Sequence, residues 1–224
     1  MDGNGRWAKK RLLNRIKGHE KGADTVRMVV ETCRKLSVPV LTLYAFSTEN
    51  WRRSEKEVAA LMALLKKYLE AERDELIRNG IRLNVIGQLH RLPQDVREKV
   101  TDCMQMSAAN DGMLLNLALS YGSRAEIVDM VMAIGRKICE GKLDPHQISE
   151  QTVSEHLYTR GMPDPDMLIR TSGEMRVSNF LLWQIAYCEI FVTDTLWPDF
   201  SREEFLGLIE AYQHRQRRFG GAGD

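Results

Sequence analysis

Two continuous apolar runs, VLTLYAF (Val40 to Phe46) and MLLNLALSYG (Met113 to Gly122), limit what this chain can become. Neither alternates, so neither can turn one face to water, and a strand of that kind is stable only when both faces are covered. The intervening sequence supplies the cover. Ala23 to Leu36 carries apolar residues at helical spacing. Ser54-Glu55-Lys56-Glu57 forms a capping box ahead of Val58, Leu61, Met62, Leu65, Leu69 and Leu76, and Asn79-Gly80 supplies a stop. RLNVIG (Arg82 to Gly87), MLIRTSG (Met167 to Gly173) and EIFVTD (Glu189 to Asp194) read as further strands. Helices are expected from Pro93, over Ala125 to Ile138, and from a second capping box at Ser201 to about Arg215. Strands alternating with helices predict an α/β chain with a central, mostly parallel sheet covered by helices. With 224 residues, and with no repeat or linker composition, a single domain over 1–224 is expected.

In parallel sheets, ligands gather beyond the carboxyl ends of the strands, so the chemistry is sought there. Charge excludes one class of ligand: 28% of residues are charged but the net charge is +1, which does not suit a nucleic-acid binder. Cys33, Cys103, Cys139 and Cys188 lie far apart without metal-ligand spacing and read as buried free thiols of a reduced, cytoplasmic protein. The longest greasy stretch, Phe180 to Val192, is interrupted by Gln184 and Glu189 and falls short of a membrane span.

Three segments could carry chemistry. In Asp2-Gly3-Asn4-Gly5-Arg6-Trp7 a glycine turn leading into a helix could cradle phosphate, but the adjacent carboxylate would repel phosphate unless Mg²⁺ bridges them. A flexible turn explains the same residues. Ser47 to Arg53 leaves a strand with Ser, Glu, Asn, Trp and two Arg, suited to an anion or simply a polar turn; a carboxamide such as Asn50 is a poor base and more readily orients a group. Arg170 to Ser178 offers two arginines for bidentate phosphate recognition, or for surface ion pairs. Glu189 inside an apolar run requires a partner or a metal. His19 lies beside the basic N-terminal segment, whereas Met113, Met130 and Met132 read as core fillers.

Taken together, MDGNGRWAKK, GHEKGA (Gly18 to Ala23), LTLYAFSTENWRR (Leu41 to Arg53), LNLALSYGSRAEI (Leu115 to Ile127), PDPDMLIRTSGEMRVSNFLLWQIAY (Pro163 to Tyr187), WPDF (Trp197 to Phe200) and RRFGG resemble the cis-prenyltransferases, in order and spacing. The resemblance implies sequential condensation of isopentenyl diphosphate onto farnesyl diphosphate with Mg²⁺. The product would be a cis-polyprenyl (undecaprenyl) diphosphate, the lipid carrier of bacterial peptidoglycan synthesis. It implies that Asp2 is the metal-handling and catalytic carboxylate, and that Gly3, Asn4, Gly5, Arg6, Trp7, Arg15 and His19 form the allylic diphosphate site. Ser47, Thr48, Glu49, Asn50, Trp51 and Arg53 match the segment that closes over the substrates, with Asn50 assigned to deprotonation. Arg170, Arg176, Val177 and Ser178 match the isopentenyl diphosphate site, and Glu189 the second metal contact. The C-terminal arginines match an arm reaching the neighbouring subunit of a homodimer. The implied product passes to the membrane, with the enzyme cytoplasmic or peripheral to its inner face, and an apolar tunnel holds the growing chain. Family members have a strand running into the Asp2 motif, and this sequence begins at the motif itself. Gln88 and Ser123 stand where the family pattern has Asp and Gly.

Overall fold

The computed structural model describes residues 1–215. In chain order these form α1 (Asn4–Lys10), α2 (Arg15–Lys35), β1 (Val40–Ser47), α3 (Glu55–Arg78), β2 (Ile81–Ile86), α4 (Gln94–Met106), β3 (Met113–Tyr121), α5 (Ser123–Cys139), α6 (Glu150–His156), β4 (Met167–Arg170), β5 (Glu189–Val192) and α7 (Arg202–Gln213). Every strand pairing is parallel. The α/β class with a parallel sheet therefore holds, and α1 and α6 are short helices that the apolar spacing did not announce. The described residues gather into two compact units: Met1–Val38, Asp164–Arg176 and residues 184–215 in one, Pro39–Pro163 with Val177–Trp183 in the other.

In the second unit the strand order is β1-β3-β2. β3 lies in the middle, and all nine of its residues are buried, the arrangement its unbroken apolar run requires. One polar layer crosses the sheet. Thr42, Asn116 and Asn84 stand opposite one another in the register. Asn84 donates to Asn116 Oδ1 at 2.8 Å, and Asn116 donates to Thr42 Oγ1 at 3.3 Å. A buried carboxamide without partners would destabilise the sheet, so the layer also fixes register: a one-residue slip would orphan Asn116. Helix α3 starts as its capping residue dictates, with Ser54 Oγ accepting from Glu57 N at 3.3 Å. Helix α5 turns Met130 and Ile134 inward onto Leu157, with Ile127, Ile138, Leu143 and Val153 packed around them. Its opposite face carries Val128, Val131 and Met132, each more than half exposed. Met132 is thus not a core filler, unlike Met113 and Met130. Cys139 ends on the surface as well, which corrects the expectation of four buried thiols: only Cys33 and Cys103 are buried.

In the first unit β4 and β5 form a separate two-stranded ladder in which Arg170 stands opposite Val192 and Glu189 opposite Met167. Helices α1 and α2 meet through glycine: a Cβ on Gly18 would fall 1.9 Å from the Asn4 carbonyl oxygen, and one on Gly22 2.3 Å from Asn4 Oδ1. Trp197 packs its ring on Phe200 and donates its indole N–H to the Gly22 carbonyl. α7 begins at Ser201, whose hydroxyl accepts from Glu204 N at 3.2 Å.

Candidate active site

The first unit assembles its charged residues at the carboxyl end of β4. Asp2 is fixed there by its backbone. Its carbonyl accepts from Ser172 Oγ (2.7 Å), Thr171 Oγ1 (2.9 Å) and Trp197 N (3.0 Å). Its N–H donates to Thr171 Oγ1 at 3.0 Å. The next residue must be glycine, because Gly3 has φ 102° and a Cβ there would lie 2.3 Å from Ser172 Oγ. The carboxylate is then surrounded by donors: Arg170 Nη2 reaches Oδ2 at 3.0 Å, Gly3 N reaches Oδ1 at 2.9 Å, and Arg6 Nη2 lies 3.8 Å away. Burial pushes the Asp2 pKa up, but the Arg170 hydrogen bond, the Gly3 N–H and the Arg170 charge together hold it below the usual carboxylate value.

The surrounding charges alternate. Arg6 pairs with Glu174 at 3.0 Å and donates to the Ser172 carbonyl; Glu174 also holds Arg176, and Arg170 donates to the Arg176 carbonyl oxygen. Arg170 keeps only 14% of its side chain exposed, against 46% for Arg6 and 59% for Arg176. Gly5 presses on Arg15, since a Cβ there would meet Arg15 Nε at 3.0 Å. Trp7 donates its indole N–H to Asp199 at 2.7 Å, with the Arg11 guanidinium 4.2 Å above the ring. His19 is half-buried on α2.

Glu189 does not join this cluster. It opens β5, three residues before the position opposite Arg170, or about 10 Å along the ladder. There it pairs with Arg215 at 3.2 Å, the partner that its apolar setting demanded. Among the described residues no group of three or more His, Cys, Asp and Glu side chains could hold a metal ion. Residues 216–224, which include most of the expected C-terminal arm, lie outside the described residues.

The second unit holds Ser47 to Arg53, Val177 and Ser178. Beyond the carboxyl end of β1 the chain makes a short 3-10 turn over Thr48–Arg52 that caps itself: Ser47 N donates to Asn50 Oδ1 at 3.1 Å, and the Ser47 hydroxyl accepts from Asn50 N. The Asn50 carboxamide oxygen thus already accepts one hydrogen bond within the turn. Trp51 anchors the segment, donating to Ser120 Oγ at 2.9 Å with its ring edge-on to Phe46. Arg53 pairs with Glu57 at 2.9 Å. Glu49 accepts from Thr48 Oγ1 (3.2 Å) and Asn179 Nδ2 (2.9 Å). Burial raises its pKa, but the Asn179 bond and its other donors bring it below the ordinary value.

Residue types alone left four contributors unrecognised. Thr171 and Ser172 hold the Asp2 backbone, Glu174 bridges Arg6 and Arg176, and Asn179 holds Glu49. Glu174 had a signal, a lone acid between two arginines. Thr171, Ser172 and Asn179 act through contacts far away in sequence, which no local pattern reports.

Residues 1–220 match the prenyltransferase family model described as "Putative undecaprenyl diphosphate synthase". The chain is 52% identical to the isoprenyl transferase of Geobacter sulfurreducens, over 98% of this chain and 89% of the relative. It is 50% identical to that of Bacillus cereus, over 99% and 86%. Its fold is similar to lavandulyl diphosphate synthase from Lavandula x intermedia, solved in complex with dimethylallyl diphosphate, with a TM-score of 0.95, 35% identity and coverage of 98% and 95%. It is also similar to a probable undecaprenyl diphosphate synthase from Campylobacter jejuni, with a TM-score of 0.79, 35% identity and coverage of 90% and 92%.

Proposed function

The chain belongs to the undecaprenyl diphosphate synthase family of prenyltransferases, and from that premise we propose that it condenses isopentenyl diphosphate repeatedly onto farnesyl diphosphate with cis stereochemistry. The product is then an undecaprenyl-type diphosphate, which serves bacterial peptidoglycan synthesis as a lipid carrier. The observation that carries this reading is the Asp2 patch: one carboxylate held below its ordinary pKa, with Arg170 and Arg6 beside it. A lone carboxylate among arginines is a poor anion site by itself. It becomes a good one with Mg²⁺, which is usually held by one or two carboxylates together with substrate phosphate oxygens rather than by a full protein cage. The donor set fits that ion. When bound, Mg²⁺ would neutralise the leaving diphosphate.

Asp2 would hold the ion, and Gly3, Asn4, Gly5, Arg6, Arg15 and His19 the allylic diphosphate. Arg170, Arg176, Val177 and Ser178 would bind isopentenyl diphosphate. Trp7 supports the allylic site through Asp199 and Arg11. Asn50 is assigned to the proton-handling step, with Ser47, Thr48, Glu49, Trp51 and Arg53 shaping its segment. The Asn50 oxygen accepts from Ser47 N with one of two lone pairs, which leaves the other for a proton. Glu189 would add a second metal contact only on leaving Arg215. On α3, Met62 and Leu69 are buried while Val58, Leu61 and Leu65 stay half-buried, which supports an apolar tunnel for the growing chain. Val128, Val131 and Met132 on α5 are 56%, 58% and 57% exposed and suit a second copy, in a homodimer. No described helix is long and apolar enough to cross a membrane. A cytoplasmic enzyme that meets the membrane peripherally to deliver its product is the proposed setting.

The test is incubation with radiolabelled isopentenyl diphosphate, farnesyl diphosphate and Mg²⁺, followed by chain-length analysis. Long cis-polyprenyl product is expected. No product under any allylic starter would overturn the reading.

A further inference from the structure

We infer that Asn179 is a positioning residue for the proposed reaction, one whose carboxamide registers the Ser47–Arg53 segment against the start of α5. The inference rests on the prenyltransferase reading above but on a different set of contacts. Helix α5 begins without a local cap, because Gly122 has no side chain to offer. Its first two N–H groups are instead satisfied from far along the chain: Ser123 N donates to the Asn179 carbonyl at 2.8 Å and Arg124 N to Asn179 Oδ1 at 2.8 Å. The other end of the same carboxamide, Nδ2, donates to Glu49 Oε1 at 2.9 Å. One side chain thus joins the helix start to the segment that carries Asn50 and Trp51. The Ser123 hydroxyl closes the arrangement by accepting from Leu182 N at 2.9 Å.

Three further observations agree. The backbone at Ser178 and Asn179 is left-handed, with φ 49° and 61°, a conformation that Asn tolerates better than most side chains. Gly122 leaves room for the join: a Cβ there would lie 2.5 Å from Thr48 Oγ1 and 2.7 Å from Asn179 Nδ2, although its φ of −162° suits any residue. Glu49 has both carboxylate oxygens engaged, one by Thr48 and one by Asn179. The position calls for an acceptor toward Arg124 and a donor toward Glu49 at once. A carboxamide meets both demands, a carboxylate only the first, and a hydroxyl or methyl at most one.

That asymmetry separates positioning from simple capping. Asn179→Asp keeps the acceptor for Arg124 and is as good a cap, but sets a carboxylate against Glu49. Capping alone leaves kcat unchanged. Positioning lowers kcat about tenfold, with KM for isopentenyl diphosphate within about twofold and a melting temperature close to the parent's. In the double variant Asn179→Asp/Glu49→Gln the amide introduced on the turn can donate to the carboxylate introduced opposite it, so kcat should return at least to the level of Glu49→Gln alone. Amide hydrogen exchange gives an activity-free readout: Asn179→Asp should speed exchange across residues 47–53 several-fold while β3 stays protected. Unchanged exchange in that segment, or a loss of kcat that Glu49→Gln does not relieve, overturns the inference. If the parent chain makes no polyprenyl product, the functional reading fails, and the exchange measurement alone decides whether Asn179 holds the segment.

Discussion

The Asp2 patch and the Ser47–Arg53 turn both follow the carboxyl end of a parallel strand, yet they are built on different physics. Around Asp2 the interactions alternate in charge: Arg170, Arg6, Glu174 and Arg176 compensate one another. Around Asn50 itself they are neutral, the Ser47–Asn50 box and the Trp51–Ser120 bond, and charge enters on either side, in Glu49 held by the Asn179 amide and in the Arg53–Glu57 pair. A charged patch responds to an arriving anion, because a diphosphate competes directly for the arginines. A neutral turn responds to geometry, because its bonds are individually worth only about 1 kcal/mol and exchange easily with other partners. The first region is suited to binding and neutralising charge, the second to moving.

The strongest way to break this contrast is Asp2→Asn. Thr171, Ser172 and Trp197 grip the Asp2 backbone and not its carboxylate, so the patch should keep its shape while losing its charge. We expect condensation to fall by about 10³-fold or more, with the melting temperature lowered by no more than a few degrees, the contribution of the partly exposed Asp2–Arg170 pair. Steady-state turnover and a thermal melt decide it: activity within tenfold of the parent would remove Asp2 from the chemistry. Arg170→Met should come next, at about 10²-fold, seen mainly as a raised KM for isopentenyl diphosphate. Arg170 is the least exposed of the three arginines, so a loss seen equally at Arg176 would mean that charge density matters and position does not.

The sequence carried the two regions unequally, for the same physical reason. Strand and helix positions were legible because burial and capping act locally: β3 follows from an unbroken apolar run, α3 and α7 from Ser54 and Ser201. The Asp2 and Arg170 motifs were recognisable as segments, but not the 3.0 Å contact that joins residues 168 apart in sequence. Glu189 shows the reverse, a residue whose type was informative and whose place was not. An acid in an apolar run does demand a partner, and the metal was one answer, but the ladder register sets it away from Asp2 and Arg215 meets the demand. Asn179 was invisible because its partners lie 55 and 130 residues away.

Gly122→Ala probes the neutral region by shape alone. Its extended backbone accepts alanine without strain, but the methyl displaces Thr48 or Asn179. Both contacts are ends of movable side chains, so the fold should survive, and kcat should fall about three- to tenfold with little change in KM. Equal losses in kcat and in thermal stability would instead make Gly122 a packing residue. The pH dependence sharpens the other side. Asp2 has a folded pKa below its unfolded value, so its stabilising pairing with Arg170 is fully present above the unfolded pKa of about 4 and is lost as pH falls through the folded one. The stability difference between the parent and Asp2→Asn should shrink as pH falls below about 4. A difference that instead grows with acid would reverse the assigned direction.

The smallest expected effect is the most diagnostic of how the turn is held. Trp51→Phe keeps the ring against Phe46 but deletes the indole N–H that Ser120 Oγ accepts, and Ser120 has no exposed surface. The loss is a single neutral bond, and the remaining hydroxyl must stay buried, so a cost of about 1 kcal/mol in denaturant unfolding is expected. Because the Ser47–Asn50 box is intact in this variant, the turn should still form, and hydrogen exchange at residues 47–53 should rise only about five- to tenfold. Larger exchange, approaching that of an unstructured segment, would mean that Trp51 and not the self-capping box carries the turn. In that case the neutral region is pinned at one anchor and swings about it, which is a hinge; with the small effect, it is a self-made turn that can detach from its anchors as a unit.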